Sequence, residues 1–237
     1  MKNLRNRDHI SEHNISNYLD KYFYTKIKEI GTNIEQIKRV YTKEEQLKGI
    51  DVKIIQQSGN IISIDEKVAT NYNTKLSKFA FELDSYQFNR LVPGWLVSEN
   101  NTDYYLLGWI DVIEDLVESG IKIKSDTVIN EEDINYLELL LVTKETIIDF
   151  LSDNGYDVNY LIELTKDIRH GKRKLDRNRY LYKNEYDNGI RDFHFTMSGT
   201  KVENPLMVNI RKEKLIELGN KRLFIVDKNG VKVKKFE

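Results

Sequence analysis

Apolar side chains recur along this chain at two spacings, three to four residues in some windows and every second residue in others, and each spacing marks a kind of element. Ile15 to Ile30, ISNYLDKYFYTKIKEI, carries Leu19, Phe23, Ile27 and Ile30 at helical spacing, and Gly31 follows as a stop. After YTKEEQLKG the period changes. IDVKIIQ and IISIDEKVA are β-branched runs flanking the turn QSGN, the pattern of a β-hairpin. KFAFEL (78–83), TDYYLLGWI (102–110) and INYLELLLVTK (134–144) predict three more strands, with Pro93, Gly94, Asn100 and Asn101 marking the connection between the first two. ETIIDFLSDNG and DVNYLIELTKDIR predict two short amphipathic helices parted by Gly155 and Tyr156. From His170 the pattern lapses, and HGKRKLDRNRYLYKNEYDNG reads as a basic, tyrosine-rich loop or insertion. DFHFTM and PLMVNI predict strands, KEKLIELG a helix, and RLFIVD with VKVKKF a closing hairpin. There is no internal repeat and no low-complexity segment.

The 237 residues are 40% hydrophobic, enough for a sizeable core. No run of about 18 apolar residues is present to span a bilayer, and the opening MKNLRNRDHISEHN lacks the apolar segment of a secretory signal, so a cytoplasmic protein is expected, with no membrane partner. With no cysteine, disulfides, thiol catalysis and Cys-ligated zinc are excluded. The formal net charge of -1 conceals an asymmetry. Cut at about residues 98 and 167, the chain carries roughly +3, -13 and +9. A globally neutral chain can still present a basic face to a polyanion, because the field near a surface follows the local arrangement of charge, so the net charge does not bear on nucleic acid. Few prolines and many Asn, Lys, Ile and Tyr suit an AT-rich coding sequence of bacterial or phage type.

The hairpin carries the candidate chemistry. Side chains alternate along a strand, so Asp65 and Lys67 share one face while Glu66 looks to the other with Ile62 and Ile64. A turn centred on Ser58 and Gly59 sets residues whose numbers sum to about 117 opposite each other, which brings Asp51 close to Asp65, Glu66 and Lys67. Two adjacent carboxylates repel, and a divalent cation neutralises both; Mg²⁺ favours a few carboxylate oxygens completed by water and substrate phosphate. A lysine beside them orients the attacking water and balances charge during phosphodiester hydrolysis. The same three residues also suit a cross-strand salt bridge at a solvated hairpin end.

Asp51 followed by Asp65-Glu66-Lys67 resembles the PD-(D/E)XK nuclease superfamily, in which an acid on one strand is followed by a turn and a second strand ending in Asp/Glu-x-Lys. Gln46-Leu47-Lys48-Gly49-Ile50-Asp51 resembles the Gly-Ile-Asp form of that motif, and the helix before the hairpin keeps the family's order. Ile50 stands in place of the proline, and Asp65 where glutamate is more usual. The motif covers about Gln46 to Lys67, and the strand pattern to about residue 150 is compatible with the rest of the core. The resemblance implies an α/β, restriction-endonuclease-like fold, a mixed central sheet flanked by helices, here with a C-terminal α+β extension. It implies Mg²⁺, or Mn²⁺, held by Asp51 and Asp65 and completed by the main-chain carbonyl of Glu66. It gives Lys67 the role of assisting the water and Gln46 that of hydrogen-bonding phosphate or water. The activity implied is metal-dependent phosphodiester hydrolysis, a DNA endonuclease.

The change of texture divides the expected organisation into a nuclease-like core with a helical insertion (1–168) and a basic loop with C-terminal strands (169–237) packed on the same domain. Arg169, Lys172, Arg173, Lys174, Arg177 and Arg179, opposed by Asp176 and followed by Tyr180 and Tyr182, suit phosphate contacts with stacking. Glu44 and Glu45 read as an exposed helix surface, and Glu82 as either a strand-end residue or an acid approaching the site from a neighbouring strand. His9 and His13 have ligand-like spacing but belong to an N-terminus expected to be mobile; Trp95, Trp109, Tyr104 and Tyr105 read as core. Gly-rich phosphate loops, nucleophile elbows and dinucleotide fingerprints are absent, against kinase, serine-hydrolase and NAD chemistry. Two other classes stay open: a non-catalytic nucleic-acid-binding protein that keeps the fold, and an interaction protein whose acidic middle region meets a partner. The assembly, monomer or homodimer, is also open.

Overall fold

The computed structural model describes residues 2–31, 33–87, 90–173, 180–181, 192–198 and 203–236. The chain opens with α1 (Lys2–Leu19), a π-helical turn (Asp20–Tyr24) and α2 (Thr25–Ile30), then β1 (Ile34–Arg39), α3 (Lys43–Leu47), β2 (Val52–Gln56) and β3 (Ile61–Asn73). β4 (Lys78–Gln87), β5 (Arg90–Pro93), β6 (Tyr104–Val112), β7 (Val117–Ser119), β8 (Lys122–Ile123) and β9 (Ile134–Thr143) follow. Then come α4 (Lys144–Asp153), α5 (Val158–Arg169), β10 (Tyr180–Leu181), β11 (Phe193–Met197), β12 (Leu206–Arg211), α6 (Lys212–Leu218), β13 (Arg222–Asp227) and β14 (Gly230–Lys235). No helix among the described residues is long and apolar enough to cross a membrane.

These elements form two units, both discontinuous in sequence: 1–76, 101–143 and 219–237, and 77–100 with 144–218. The division differs from the one expected at residue 168. β13 pairs with β9, so the closing hairpin completes the first unit's sheet, and β4 pairs with β12 in a different sheet.

In the first unit the sheet runs β1-β2-β3-β6-β9-β13-β14, with β8 on β3 and β7 on β8. β3 and β6 are parallel and their neighbours antiparallel, which makes the sheet mixed and the class α/β. On one face Ile15, Tyr18, Leu19, Phe23 and Tyr24 pack against Val52, Ile54, Ile64, Leu106, Leu137, Leu139 and Val226. Each fully buried side chain of this size contributes about 1.5–3 kcal/mol. The first helix begins at Lys2, well before the apolar stripe that predicted it, and includes His9 and His13, so the expectation of a mobile N-terminus is corrected. Its early turns bury Arg7 and Ser11 at the positions the stripe would continue. Arg7 donates through Nε to the Thr127 carbonyl at 2.8 Å, and the Ile129 amide donates to Ser11 Oγ at 3.0 Å. Hydrogen bonds worth about 1 kcal/mol each thus do at that end what hydrophobic burial does at the other.

The second unit holds the sheet β10-β11-β12-β4-β5, antiparallel throughout, and helices α4, α5 and α6. Ile147, Leu151, Leu161, Leu164, Ile168, Leu215 and Ile216 form the buried stripes of the three helices. Asp157 caps α5 by accepting from the Tyr160 amide, a side-chain cap of the usual kind. Phe193 meets Phe150 and Tyr156 edge-on.

Candidate active site

The site is built by the short link from α3 to β2. Gly49 takes a positive φ of 72°, a region that L side chains enter at a cost, and turns the chain so that Ile50 is buried and Asp51 faces β3. The link is pinned from both sides: Thr102 Oγ1 donates to the Gly49 carbonyl at 2.8 Å, and the Val40 amide to the Asp51 carbonyl at 2.8 Å. Val52 pairs with Ile64, so the register places Asp51 opposite Asp65, one residue from the sum expected from the turn. The Asp51 amide donates to the Ile64 carbonyl at 2.9 Å, and the Glu66 amide donates to Asp51 Oδ2 at 2.8 Å. The Asp51 carboxylate therefore finishes the strand pairing that the backbone of β2 does not reach.

Asp65 is 1% exposed. Its Oδ1 accepts from Lys67 Nζ at 2.5 Å, and its Oδ2 is buried with no hydrogen-bond partner. Desolvation pushes the Asp65 carboxyl up to about 7, against the pull of the Lys67 ammonium and with the help of Asp51, which lies close enough to share a hydrogen bond when one of the pair is protonated. With both ionised neither donates, and Oδ2 is left facing negative charge. Burial draws the Lys67 ammonium down, but the charges of Asp65, Asp51 and Glu12 outweigh it and its pKa is raised. The lysine thus stays charged.

Glu66 lies on the other face, as strand alternation requires. Arg39 from β1 donates to Glu66 through Nη1 at 2.7 Å and Nη2 at 3.0 Å, and to Asp20 through Nε and Nη2 at 2.7 Å each. Ser16 Oγ adds a donation to Glu66 at 3.3 Å. Burial raises the Glu66 carboxyl while Arg39 opposes it. The Glu66 side chain is thus committed to the helix face, and only its main chain belongs to the Asp65 side.

Gln46, on α3, donates through its amide to the Val40 carbonyl at 3.3 Å. Glu45 pairs with Lys53, and Glu44 with Lys48 at 2.9 Å, which accounts for both as ordinary ion pairs around α3. Glu82 stands on β4 in the other sheet, with Ser85 Oγ donating to it at 2.9 Å, so β4 is not a strand beside β3. Trp109 and Tyr105 are fully buried. Sequence reasoning missed Glu12, an α1 residue whose carboxyl is raised by desolvation and feels both Lys67 and Asp51. It lies in the turns of α1 that carry no apolar stripe, so periodicity gave no sign of what it faces. Arg39 was missed for a similar reason, standing in a strand whose pattern is irregular.

The basic segment is different from its expectation at its first residue. Arg169 donates through Nη2 to Asp84 at 2.5 Å and to the Asn204 carbonyl at 2.7 Å, with the paired side chains 6% and 4% exposed, so it is a buried structural cation and not a phosphate contact. Lys172 and Arg173 are exposed and lie near Asp167 at 3.6 and 3.7 Å, and Arg173 also donates to Tyr160 Oη at 2.8 Å. Lys174, Arg177 and Arg179 lie outside the described residues.

Among the described residues no three His, Asp or Glu side chains are grouped so as to hold a metal ion by themselves. Asp51 and Asp65 form a two-carboxylate pair, the number Mg²⁺ commonly takes from a protein before water and phosphate complete its shell. The orphaned Asp65 Oδ2 fits such a cation, which would satisfy the one oxygen that Lys67 leaves bare. No known family, no curated protein and no solved structure matches this chain.

Proposed function

We propose that the Asp51, Asp65 and Lys67 end of the β2–β3 hairpin is a metal-dependent phosphodiesterase site, and that the protein is a DNA endonuclease with a restriction-endonuclease-like core. The observation that carries this reading is Asp65: a buried carboxyl beside a second carboxyl, with an ammonium on one oxygen and, when both acids are ionised, no donor on the other. Asp51 Oδ2 finishes the β2–β3 pairing by accepting from the Glu66 amide, and the Lys67 salt bridge engages only Asp65 Oδ1. Asp51 and Asp65 would hold Mg²⁺ or Mn²⁺, which when bound supplies Lewis acidity at a phosphoryl oxygen and a more acidic water. Lys67 opposes the burial that favours the protonated Asp65 carboxyl and presents a donor to the water or the scissile phosphate. The Glu66 amide fixes Asp51, and Arg39 holds the Glu66 carboxylate away from the cation. Gln46 lies on the preceding helix as a neutral donor.

The test is cleavage of supercoiled, linear and single-stranded DNA, and of RNA, with Mg²⁺ or Mn²⁺, by the wild-type chain and by Asp65→Asn and Lys67→Met. Cleavage by the wild type that falls at least about a hundredfold in each variant is expected. A wild type that cuts none of these substrates, or an Asp65→Asn variant that cuts like wild type, ends the reading.

The short Lys67 to Asp65 contact favours a second reading, in which the lysine already neutralises the site and the protein binds nucleic acid without cutting it. Salt-dependent DNA binding that is the same with and without divalent cations, together with no saturable Mn²⁺ uptake, would select it.

A further inference from the structure

The terminal hairpin β13–β14 gathers positive charge that the candidate active site does not use. Between residues 221 and 236 stand Lys221, Arg222, Lys228, Lys232, Lys234 and Lys235 against a single acid, Asp227. All six cations are exposed. At the turn, Lys228 donates to the Glu132 carbonyl at 3.2 Å and lines a hollow with Glu131 and Glu132, so its charge is answered locally. At the open end, none of Lys221, Arg222, Lys232, Lys234 and Lys235 is ion-paired among the described residues.

Register sets these charges at one end of the hairpin on both of its faces, Arg222 and Lys235 on one and Lys232 and Lys234 on the other. Arg222 stands opposite Lys235 and Leu223 opposite Lys234, and the Phe236 amide donates to the Lys221 carbonyl at 3.0 Å. The Lys234 ammonium lies 4.9 Å from the centre of the half-buried Phe236 ring. Lys232 and Lys234 share a face of the edge strand about 7 Å apart. Lysines on an edge strand discourage pairing with another chain. That role does not explain Lys221 and Arg222, which lie on the inner strand's side of the hairpin. Lysines without an ion pair among the described residues, one of them set against an aromatic ring, are the chemistry that meets a phosphodiester backbone.

We propose that the open end of β13–β14, with Lys221, Arg222, Lys232, Lys234, Lys235 and Phe236, is a nucleic-acid contact that holds backbone phosphates without reading bases. It rests on the reading that the protein's substrate is nucleic acid. The test is a fluorescence-anisotropy titration of a labelled DNA duplex in EDTA over a salt series, with the full chain and with Lys232→Gln/Lys234→Gln/Lys235→Gln. The triple variant is expected to weaken binding about tenfold or more at low salt and to reduce the slope of log K against log salt by about 2 to 3, while its thermal unfolding matches wild type. Unchanged affinity and slope overturn the proposal, and self-association of such a variant in sedimentation would then mark the lysines as edge guards. No duplex binding by the wild-type chain at low salt also overturns it. Cleavage assays separate this surface from the active site: reduced slope in the variant with no cleavage by wild type sinks the nuclease and keeps the contact. Cleavage by wild type with equal slopes keeps the nuclease and sinks the contact.

Discussion

Asp65 concentrates the physical tension of the molecule. Its carboxyl ionises at about 7 in the folded chain and near the ordinary 3.8 when exposed, so between those values the native state keeps a proton that the unfolded chain has released. Stability contributed by this group is therefore fully present below about pH 4 and is lost as pH rises towards and through about 7, an effect on the order of a few kcal/mol. Asp65→Asn removes the ionisation. The variant is expected to unfold at higher urea than wild type at pH 8 and at nearly the same urea at pH 4; equal midpoints at pH 8 contradict it. A divalent cation held by Asp51 and Asp65, as proposed, would displace the same proton. Mn²⁺ binding at pH 6 is expected to release close to one proton per site, read by calorimetry in buffers of different ionisation enthalpy, and Asp65→Asn should abolish that release. Lys67→Met removes the charge that holds Asp65 down, so in that variant the carboxyl should titrate above 7, measurable by its NMR chemical shift.

At the scale of elements, the end of β3 is held on the β2 side by side chains. Asp51 bonds the Glu66 amide, and Arg39 bonds the Glu66 carboxylate while also gripping Asp20 beyond α1. Arg39→Met leaves Glu66 buried without a cation, and a cost of about 3–5 kcal/mol is expected in urea unfolding. Adding Glu66→Gln should recover a large part of it, since the uncompensated charge is then gone. A loss below about 1 kcal/mol would mean that the network is solvated and not structural. This arrangement also explains what the sequence could show. Asp51, Asp65 and Lys67 were legible because strand alternation and a single turn determine their placement over a span of seventeen residues. Arg39 was not, because helix and strand meet there through polar groups, and no hydrophobic period records that its side chain is buried against Asp20 and Glu66. Arg7 and Ser11 hid the start of α1 in the same way. Arg169 misled for the opposite reason: it stands in a run of basic residues, and its partner Asp84 is far off in sequence.

For the molecule as a whole, chain order and structural order diverge. The boundary drawn after residue 168 follows a real change of composition, but pairing ignores it: β13 is hydrogen-bonded to β9, and β12 to β4. A change of texture in a sequence reports solvent exposure, whereas membership of a sheet depends on which edge is free. A chain ending at residue 168 therefore loses β13 and β14 from the first unit and β10, β11, β12 and α6 from the second. In the first unit alone it strips Phe224 and Val226 from the core, including the edge-on contact of Phe224 with Phe23 at 5.5 Å, and bares the β9 edge. Each such side chain contributes about 1.5–3 kcal/mol, against a net stability of about 5–15 kcal/mol for a whole domain. Residues 1–168 are expected to show no cooperative thermal transition and rapid proteolysis, under conditions where the full chain melts cooperatively. A cooperative melt of that fragment with native-like far-ultraviolet circular dichroism would show that the hydrogen bonds of β9 to β13 are dispensable for a folded first unit.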